Sequence, residues 1–205
     1  MKHINVNMSK SRLEAFSDGV IAIIITIMVL EIKVPHGGHD LAALKPLLPV
    51  FISYVMSFVF VAIYWNNHHH TLHAVKSVSG PVLWANMHLL FWLSMVPFVT
   101  AWMGENEFKD AWPTAVYGFV LFMNAIAYTL LLITLINHEG RNSTLANALG
   151  RDWKGKISIA CYIAAIAFAF FNTYISFALY ITVACIWFIP DTRIEKKLAD
   201  EQPNN

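Results

Sequence analysis

The residues with the clearest chemical potential are an aspartate beside an apolar segment and a run of histidines. Asp18 directly precedes twelve uncharged residues, Gly19 to Leu30. An acidic side chain at membrane depth is costly, so it marks a functional site by default. Asp18 fits two roles: a hydrogen-bond network that ties neighbouring helices together, and a proton relay or cation site. Its candidate partners are Arg12, Trp65, His68, Asn86 and His88.

The histidine run has the spacing of a metal site but lacks further ligands. His69 and His73 are four residues apart, so on a helix both rings lie on one face, as in zinc sites. No cysteine or acidic residue lies beside them, and the glutamate of an HExxH motif is missing. The sequence also lacks a Ser-His-Asp order, a phosphate loop and a nucleotide fingerprint. We therefore expect no enzyme and no cofactor, although a membrane metalloenzyme built on these histidines stays open as an alternative.

A stripe of branched apolar residues follows Asp18. Ile23, Ile27 and Leu30 recur at i, i+4 and i+7, and Thr26 lies beside them. Such a stripe is typical of a face packed in a core. The other interpretation is a pore wall: copies of this helix around one axis would form an apolar constriction, which can gate by dewetting. Thr26 would then supply one ring of hydroxyls, since no carbonyl filter of the TVGYG type occurs.

These residues must be positioned by membrane-spanning helices. Of the 205 residues, 57% are hydrophobic and 13% are charged, against about 25% charged in soluble domains. The charges cluster between long apolar runs, and no basic block indicates nucleic-acid binding. The pattern predicts an all-α integral membrane protein, a single transmembrane domain over residues 1–205 with six spans. These are approximately 12–34, 47–67, 82–103, 111–137, 156–171 and 174–190, with 191–205 as a tail.

The first span is unusually polar at both ends. Its twelve uncharged residues cover roughly 18 Å, short of a hydrocarbon core of about 30 Å. The helix must therefore carry polar groups and needs an interior position, with water or protein at its ends. Two other features shape the spans: Pro97 predicts a kink in the third, and Asn172 predicts a tight turn between the last two.

The distribution of Lys and Arg predicts the orientation. With six spans, eleven of the fourteen basic residues fall on one side and three, Lys33, Lys45 and Lys109, on the other. The bias predicts that both termini are cytoplasmic and that the protein lies in the cell membrane. The eleven are Lys2, Lys10, Arg12, Lys76, Arg141, Arg151, Lys154, Lys156, Arg193, Lys196 and Lys197.

The start of the first span resembles the endosomal and lysosomal potassium channel family, the transmembrane protein 175 family. The similarity is an R-x-x-x-F-S-D pattern, Arg12 to Asp18, followed by Ile23 and Thr26. Trp65 with His68 on the second span agrees with it, as does Leu89-Leu90-Phe91 leading to Pro97-Phe98 on the third. The resemblance is strongest over residues 12–34, and the length of the chain fits the single-repeat prokaryotic branch.

The resemblance implies a homotetrameric cation channel whose first helix lines the pore, without a pore loop. Ile23 falls at the narrow hydrophobic constriction, Thr26 at the hydroxyl associated with potassium preference, and Leu30 at a wider apolar level. Ile27 stands where many members keep leucine. The family implies weak selectivity for potassium over sodium among permeant monovalent cations. An interhelical network would hold the pore helix, formed by Arg12, Phe16, Ser17, Asp18, Trp65, His68 and Asn86.

Two functions follow as expectations. The first is a passive, potassium-preferring channel, based on the stripe and on the family pattern. The second is a proton-coupled cation transporter that uses Asp18 and the nearby histidines. They differ in whether cation flux moves protons against a gradient.

Overall fold

The computed structural model describes residues 10–35, 40–140, 142–149 and 153–188. This part of the chain holds eight α-helices, and a 3-10 helix at Leu41–Leu47 leads into the second. The helices are α1 Lys10–Leu30, α2 Leu48–His73, α3 Gly80–Ser94, α4 Val96–Glu105, α5 Ala111–Glu139, α6 Thr144–Leu149, α7 Trp153–Phe168 and α8 Thr173–Phe188. The predicted tail at 191–205 and the basic residues Lys2, Arg141, Arg151, Arg193, Lys196 and Lys197 lie outside the described residues.

Within the described residues, four helical segments are long and apolar enough to cross a membrane. They are Lys10–Leu30, Leu41–His73, Gly80–Glu105 and Ala111–Glu139. α7 and α8 have 16 residues each, which gives about 24 Å at 1.5 Å per residue, short of a hydrocarbon core of about 30 Å. The described part of the chain is thus all-α with four candidate membrane spans, and the count of six remains a prediction.

The first two helices end at different places from those expected. α1 ends at Leu30 instead of residue 34: a turn begins at Glu31, and Pro35 disfavours helical geometry at Val34. α2 continues to His73 instead of ending near residue 67. Its polar last turns stay helical because they find partners: Asn67 donates to the Ile63 carbonyl at 2.8 Å.

Lys10, at the start of α1, caps the C-terminal end of α2. Its Nζ donates to the carbonyl oxygens of Leu72 at 3.1 Å and Val75 at 3.0 Å. The last carbonyls of a helix have no intrahelical partner and carry partial negative charge, so an ammonium stabilises them. At the opposite end of α1, Lys33 pairs with Glu105 at the end of α4, with 3.1 Å between Nζ and Oε1. The first contact makes α1 antiparallel to α2, and the second makes it parallel to the α3–α4 segment.

The third apolar segment is broken at Met95 into α3 and α4, in line with the kink predicted from Pro97. Proline lacks the N–H that would bond four residues back, so the helix is interrupted there. The Thr100 hydroxyl, on α4, lies 2.6 Å from Ser57 Oγ of α2. Ser57 Oγ in turn lies 3.0 Å from Tyr117 Oη of α5. This buried chain of hydroxyls ties three helices together beside the break.

α5 is the centre of the subunit. It packs against α3, α4, α7 and α8, whereas α1 lies at one edge against α2, α3 and α4. The turn between α7 and α8 contains Asn172, whose Oδ1 accepts a hydrogen bond from the Tyr174 amide at 3.0 Å. α6 was not predicted from the sequence. α1, the candidate pore helix, is therefore a peripheral helix that packs against a larger bundle.

Gly104 allows α2 and α4 to approach closely. A Cβ built on it would lie 2.4 Å from Ser53 Oγ and 2.8 Å from the Val50 Cα. Real Cβ atoms do not tolerate such distances to backbone, so any side chain here must push the two helices apart.

We predict that Gly104→Ala lowers the free energy of unfolding by about 1–3 kcal/mol, the usual cost of overpacking. Gly80→Ala is the matched control, since a Cβ there meets nothing within 4 Å. Thermal unfolding of the detergent-purified protein measures both. Equal midpoints for the two variants would contradict the close approach.

Candidate pore helix and its hydrogen-bonded anchor

α1 has one face in the subunit core and another that the subunit leaves uncovered. Ser17, Ile21, Ile24 and Met28 are buried against the neighbouring helices. Ile23, Ile27 and Leu30, called here the outward stripe, are not: Ile23 is 58% exposed and Leu30 is 77% exposed. Within the subunit, the stripe is therefore not a packing face. Something outside the subunit must cover it, whether lipid, another subunit or the water of a pore.

A buried relay of three polar side chains fixes this orientation. Asn86, on α3, donates through Nδ2 to Ser17 Oγ of α1 at 2.9 Å. Its Oδ1 lies 2.7 Å from His68 Nε2 of α2. Because Oδ1 can only accept, Nε2 of His68 carries the proton. Ser17, Asn86 and His68, called here the anchor, thus join three helices at a fully desolvated point.

A second contact joins α1 to α2 closer to solvent. Trp65 Nε1 donates to Asp18 Oδ1 at 2.9 Å. The Trp65 ring also stacks on His69 at 5.9 Å between centroids, and His69 stacks on His73 at 6.1 Å. The exposed face of α2 therefore carries a column of three rings above the Asp18 contact. Asp18 is partnered by an indole N–H within the subunit.

The predicted network is divided differently from the expectation. The structure brings together Ser17, Asn86 and His68, and separately Asp18 and Trp65. Arg12 and Phe16 join neither group: both are exposed, and Arg12 makes no hydrogen bond or ion pair with another described residue. At about 100° per residue, they fall on the same face of α1 as the outward stripe. Arg12 and Phe16 lie outside both groups because the helical repeat places their side chains on the face opposite the buried one.

Thr26 is exposed beside the outward stripe. Its hydroxyl donates to the Ile23 carbonyl of the same helix at 2.9 Å. Since the single proton is used there, the oxygen lone pairs are directed away from the helix backbone. This is the geometry that a hydroxyl needs to contact a cation.

Glu31 is a residue that the sequence reasoning did not single out as functional. It lines an open groove with Ile23 and Ile27, although it lies just beyond the end of α1. Its position four residues after Ile27 was the sequence signal that could have placed it on the face of the outward stripe. The other wall of this groove comes from the α3–α4 break, with Ser94, Pro97, Phe98 and Ala101.

The histidines form no metal site within the described ranges. His68 is buried in the anchor, whereas His69 and His73 stack face to face on the surface of α2. Among the described residues, no group of three or more His, Cys, Asp or Glu side chains could hold a metal ion.

Comparison with known proteins decides the family. The model of the endosomal/lysosomal potassium channel TMEM175 matches residues 12–97, which contain the anchor and the outward stripe. A potassium channel of Chryseobacterium sp. (strain P1-3) is 55% identical over 193 residues, covering 94% of this chain and 100% of that protein. The chain belongs to the TMEM175 family. The full-length match to a bacterial channel places it in the prokaryotic branch, and the family is one of ion channels, not of enzymes.

Two further TMEM175 relatives bear on the chain. The crystal structure of a lysosomal potassium-selective channel TMEM175 homologue from Chamaesiphon minutus superposes with a TM-score of 0.76 at 27% identity, covering 89% of this chain and 97% of that one. The human protein, named an endosomal/lysosomal proton channel, is 36% identical over 96 residues. That match covers 41% of this chain and 19% of the human one. The family thus includes members named for potassium and members named for protons.

We predict that Asn86→Ala destabilises the protein by about 1–3 kcal/mol, because it leaves the His68 N–H buried without an acceptor. Asn66→Ala is the control, since Asn66 is half-buried and makes no hydrogen bond with another described residue. Chemical unfolding in detergent compares the two. If Asn86→Ala were no worse than Asn66→Ala, the anchor would not hold α1.

Proposed function

We propose that this chain forms a homotetrameric cation channel that conducts passively and prefers potassium, with α1 of four subunits around a central pore. Membership of the TMEM175 family supports a cation channel in a membrane. The tetramer, the pore helix and the potassium preference are inferences from the site. We further infer that the channel uses no cofactor, that it lies in the cell membrane, and that both termini are cytoplasmic.

The observation that carries this proposal is the outward stripe. Three large aliphatic side chains on one face of α1 remain 42–77% exposed within the subunit, although the helix has polar residues at both ends. If this face met lipid, Thr26 and Arg12, which lie on or beside it, would be drawn towards acyl chains at a cost. A shared axis with water at its two mouths avoids that cost. One ring of four Ile23 side chains would then form the narrow apolar gate, with rings of Ile27 and Leu30 behind it.

Selectivity is assigned to Thr26. Its hydroxyl oxygen faces the same open side as the stripe, with its proton already engaged by the Ile23 carbonyl. Four such oxygens would offer one level of weak ligands to a partly dehydrated ion. One hydroxyl ring is a far smaller filter than stacked carbonyl rings, which agrees with weak preference for potassium over sodium.

A second candidate function is proton-coupled cation transport through Asp18 and the nearby histidines. The Trp65, His69 and His73 column above Asp18 favours it, as does the name of the human relative. The reversal potential of reconstituted protein in a planar bilayer separates the two. A channel follows the potassium gradient whatever the pH difference, whereas a coupled transporter shifts its reversal potential with the pH difference.

We predict that Ile23→Asn raises potassium conductance several-fold, because a polar ring hydrates the constriction. Potassium flux into proteoliposomes, at equal protein density, measures the change. Ile163→Asn is the matched control, since Ile163 is similarly exposed but lies on α7, on the far side of the subunit. Unchanged flux in Ile23→Asn would remove Ile23 from the gate.

We predict that Thr26→Val moves the potassium-to-sodium permeability ratio towards unity, since valine keeps the shape of threonine and loses the oxygen. Bi-ionic reversal potentials give the ratio. Thr134→Val is the control, because the Thr134 hydroxyl is also exposed and donates to its own helix, at Leu130, at 2.7 Å. A ratio unaffected by Thr26→Val but altered by Thr134→Val would reverse the assignment.

A further inference from the structure

A long groove runs along the outer surface of the subunit between α2 and α8. One part of it, with a volume of about 460 Å³, begins at Phe51 on α2, and a second part, of about 340 Å³, ends at Asn66. Val59 and Phe188 line both parts, so they form one continuous groove, called here the α2–α8 groove. From Phe51 to Asn66 it follows about 22 Å of α2, at 1.5 Å per residue. It is therefore longer than the roughly 15 Å of hydrocarbon in one leaflet of a bilayer.

The α2–α8 groove is apolar and open. No charged side chain lines either part, and α2 belongs to a candidate membrane span. Phe51 is 50% exposed and Ile181 is 48% exposed, so the described part of the subunit leaves the groove uncovered. A groove of this length and polarity within a membrane matches an unbranched hydrocarbon chain, which fills it through van der Waals contact.

One end of the groove is polar. Asn66 lies there, is half-buried, and makes no hydrogen bond with another described residue. Its side-chain amide offers two N–H donors, and water cannot satisfy them in the hydrocarbon region of a bilayer. A ligand of the groove therefore gains from an acceptor oxygen at the Asn66 end.

A positive charge lies beside the same end. Trp187 lines the groove there, and the Lys154 ammonium lies over its ring, 5.7 Å from the centroid. Trp187 is held in place because its Nε1 donates to Ser158 Oγ at 2.8 Å. Lys154 is 9% exposed, so salt screens its charge less than that of a surface lysine. Tryptophan and lysine together are typical of the membrane–water interface, where lipid headgroups lie.

We propose that the α2–α8 groove binds one acyl chain of an anionic phospholipid, with the lipid phosphate between the Asn66 amide and the Lys154 ammonium. The chain accounts for the length and the apolar lining, and the phosphate accounts for the donor and the cation at one end. A neutral lipid would leave the positive charge without a complement. The lipid comes from the leaflet at the His73 end of α2. The site is separate from the outward stripe and does not depend on the proposed pore.

The test uses the full chain, delipidated in detergent, and counts bound lipids by native mass spectrometry. The probes are dioleoyl phosphatidylglycerol and dioleoyl phosphatidylcholine, which have the same chains and differ in headgroup charge. We expect one tightly bound phosphatidylglycerol per subunit, with an affinity about 5-fold above that of phosphatidylcholine, the value of one basic group near an anionic lipid. Lys154→Gln should remove this preference. Lys156→Gln is the matched control, since Lys156 is exposed and two residues along α7 from Lys154, on the opposite face.

The chain-binding part of the groove is tested separately. Cys185 is exposed and lines the groove, so Cys185→Trp should fill it and weaken both lipids several-fold. Ala160→Trp is the control, because it adds the same ring at an exposed position of α7 that lines neither part.

A headgroup variant covers the case in which Lys154→Gln does not give a monodisperse protein. Asn66→Ala breaks no hydrogen bond among the described residues. It should lower the phosphatidylglycerol affinity about 3–10-fold and leave dioleoylglycerol, which has no phosphate, unchanged.

Four results would overturn the proposal. They are equal affinities of the unmodified chain for the two phospholipids, an equal loss of preference in Lys154→Gln and Lys156→Gln, an equal effect of Asn66→Ala on phosphatidylglycerol and dioleoylglycerol, and lipid binding that Cys185→Trp does not weaken. If Cys185→Trp instead dissociates the oligomer without changing lipid affinity, a second copy of the chain covers the groove. None of these outcomes depends on ion flux, so failure here is distinct from failure of the channel proposal.

Discussion

The rotation of α1 about its own axis is the constraint on which the account depends. It is set by the anchor, in which Asn86 bridges Ser17 and His68 where no water can replace either bond. Polar groups buried in a membrane protein must be satisfied internally. A rotation of α1 by one residue, about 100°, would break the Ser17 contact and carry the outward stripe into the bundle. The cost of that loss holds the aliphatic face outward.

The rest of the subunit supports this orientation from both ends of the helix. Lys10 fixes the start of α1 to the end of α2, and Lys33 pairs with Glu105 at the other end. The first bond reaches partly buried carbonyls and resists screening, whereas the second is exposed and contributes little. The pore-helix candidate is thus held most firmly at the end that bears Asp18 and the anchor. Its Leu30 end is tied more loosely.

The sequence predicted the membrane class, the polar first helix, the kink at Pro97 and the TMEM175 family. It could not predict the phase of α1, because Ile21, Ile24 and Met28 are as apolar as Ile23, Ile27 and Leu30, and only tertiary packing distinguishes the two sets. The family resemblance grouped Arg12 and Phe16 with the network, since a sequence motif does not record which way each side chain points. It also ended α2 too early, since polar residues such as Asn67 stop a helix only when they lack partners. The groove between α2 and α8 brings together two helices distant in sequence, which no local pattern records.

The proposed channel requires that the outward stripe of α1 faces the same stripe of the other subunits across a shared axis. Inter-subunit disulfide formation tests it most directly, with cysteine introduced at Ile23 in a background that lacks Cys161 and Cys185. If Ile23 lies at the axis, oxidation of the membrane-embedded protein should link Ile23→Cys subunits into covalent dimers, while Ile163→Cys on α7 stays monomeric. Efficient linkage at position 163 with none at position 23 would place α7 at the axis and contradict the account.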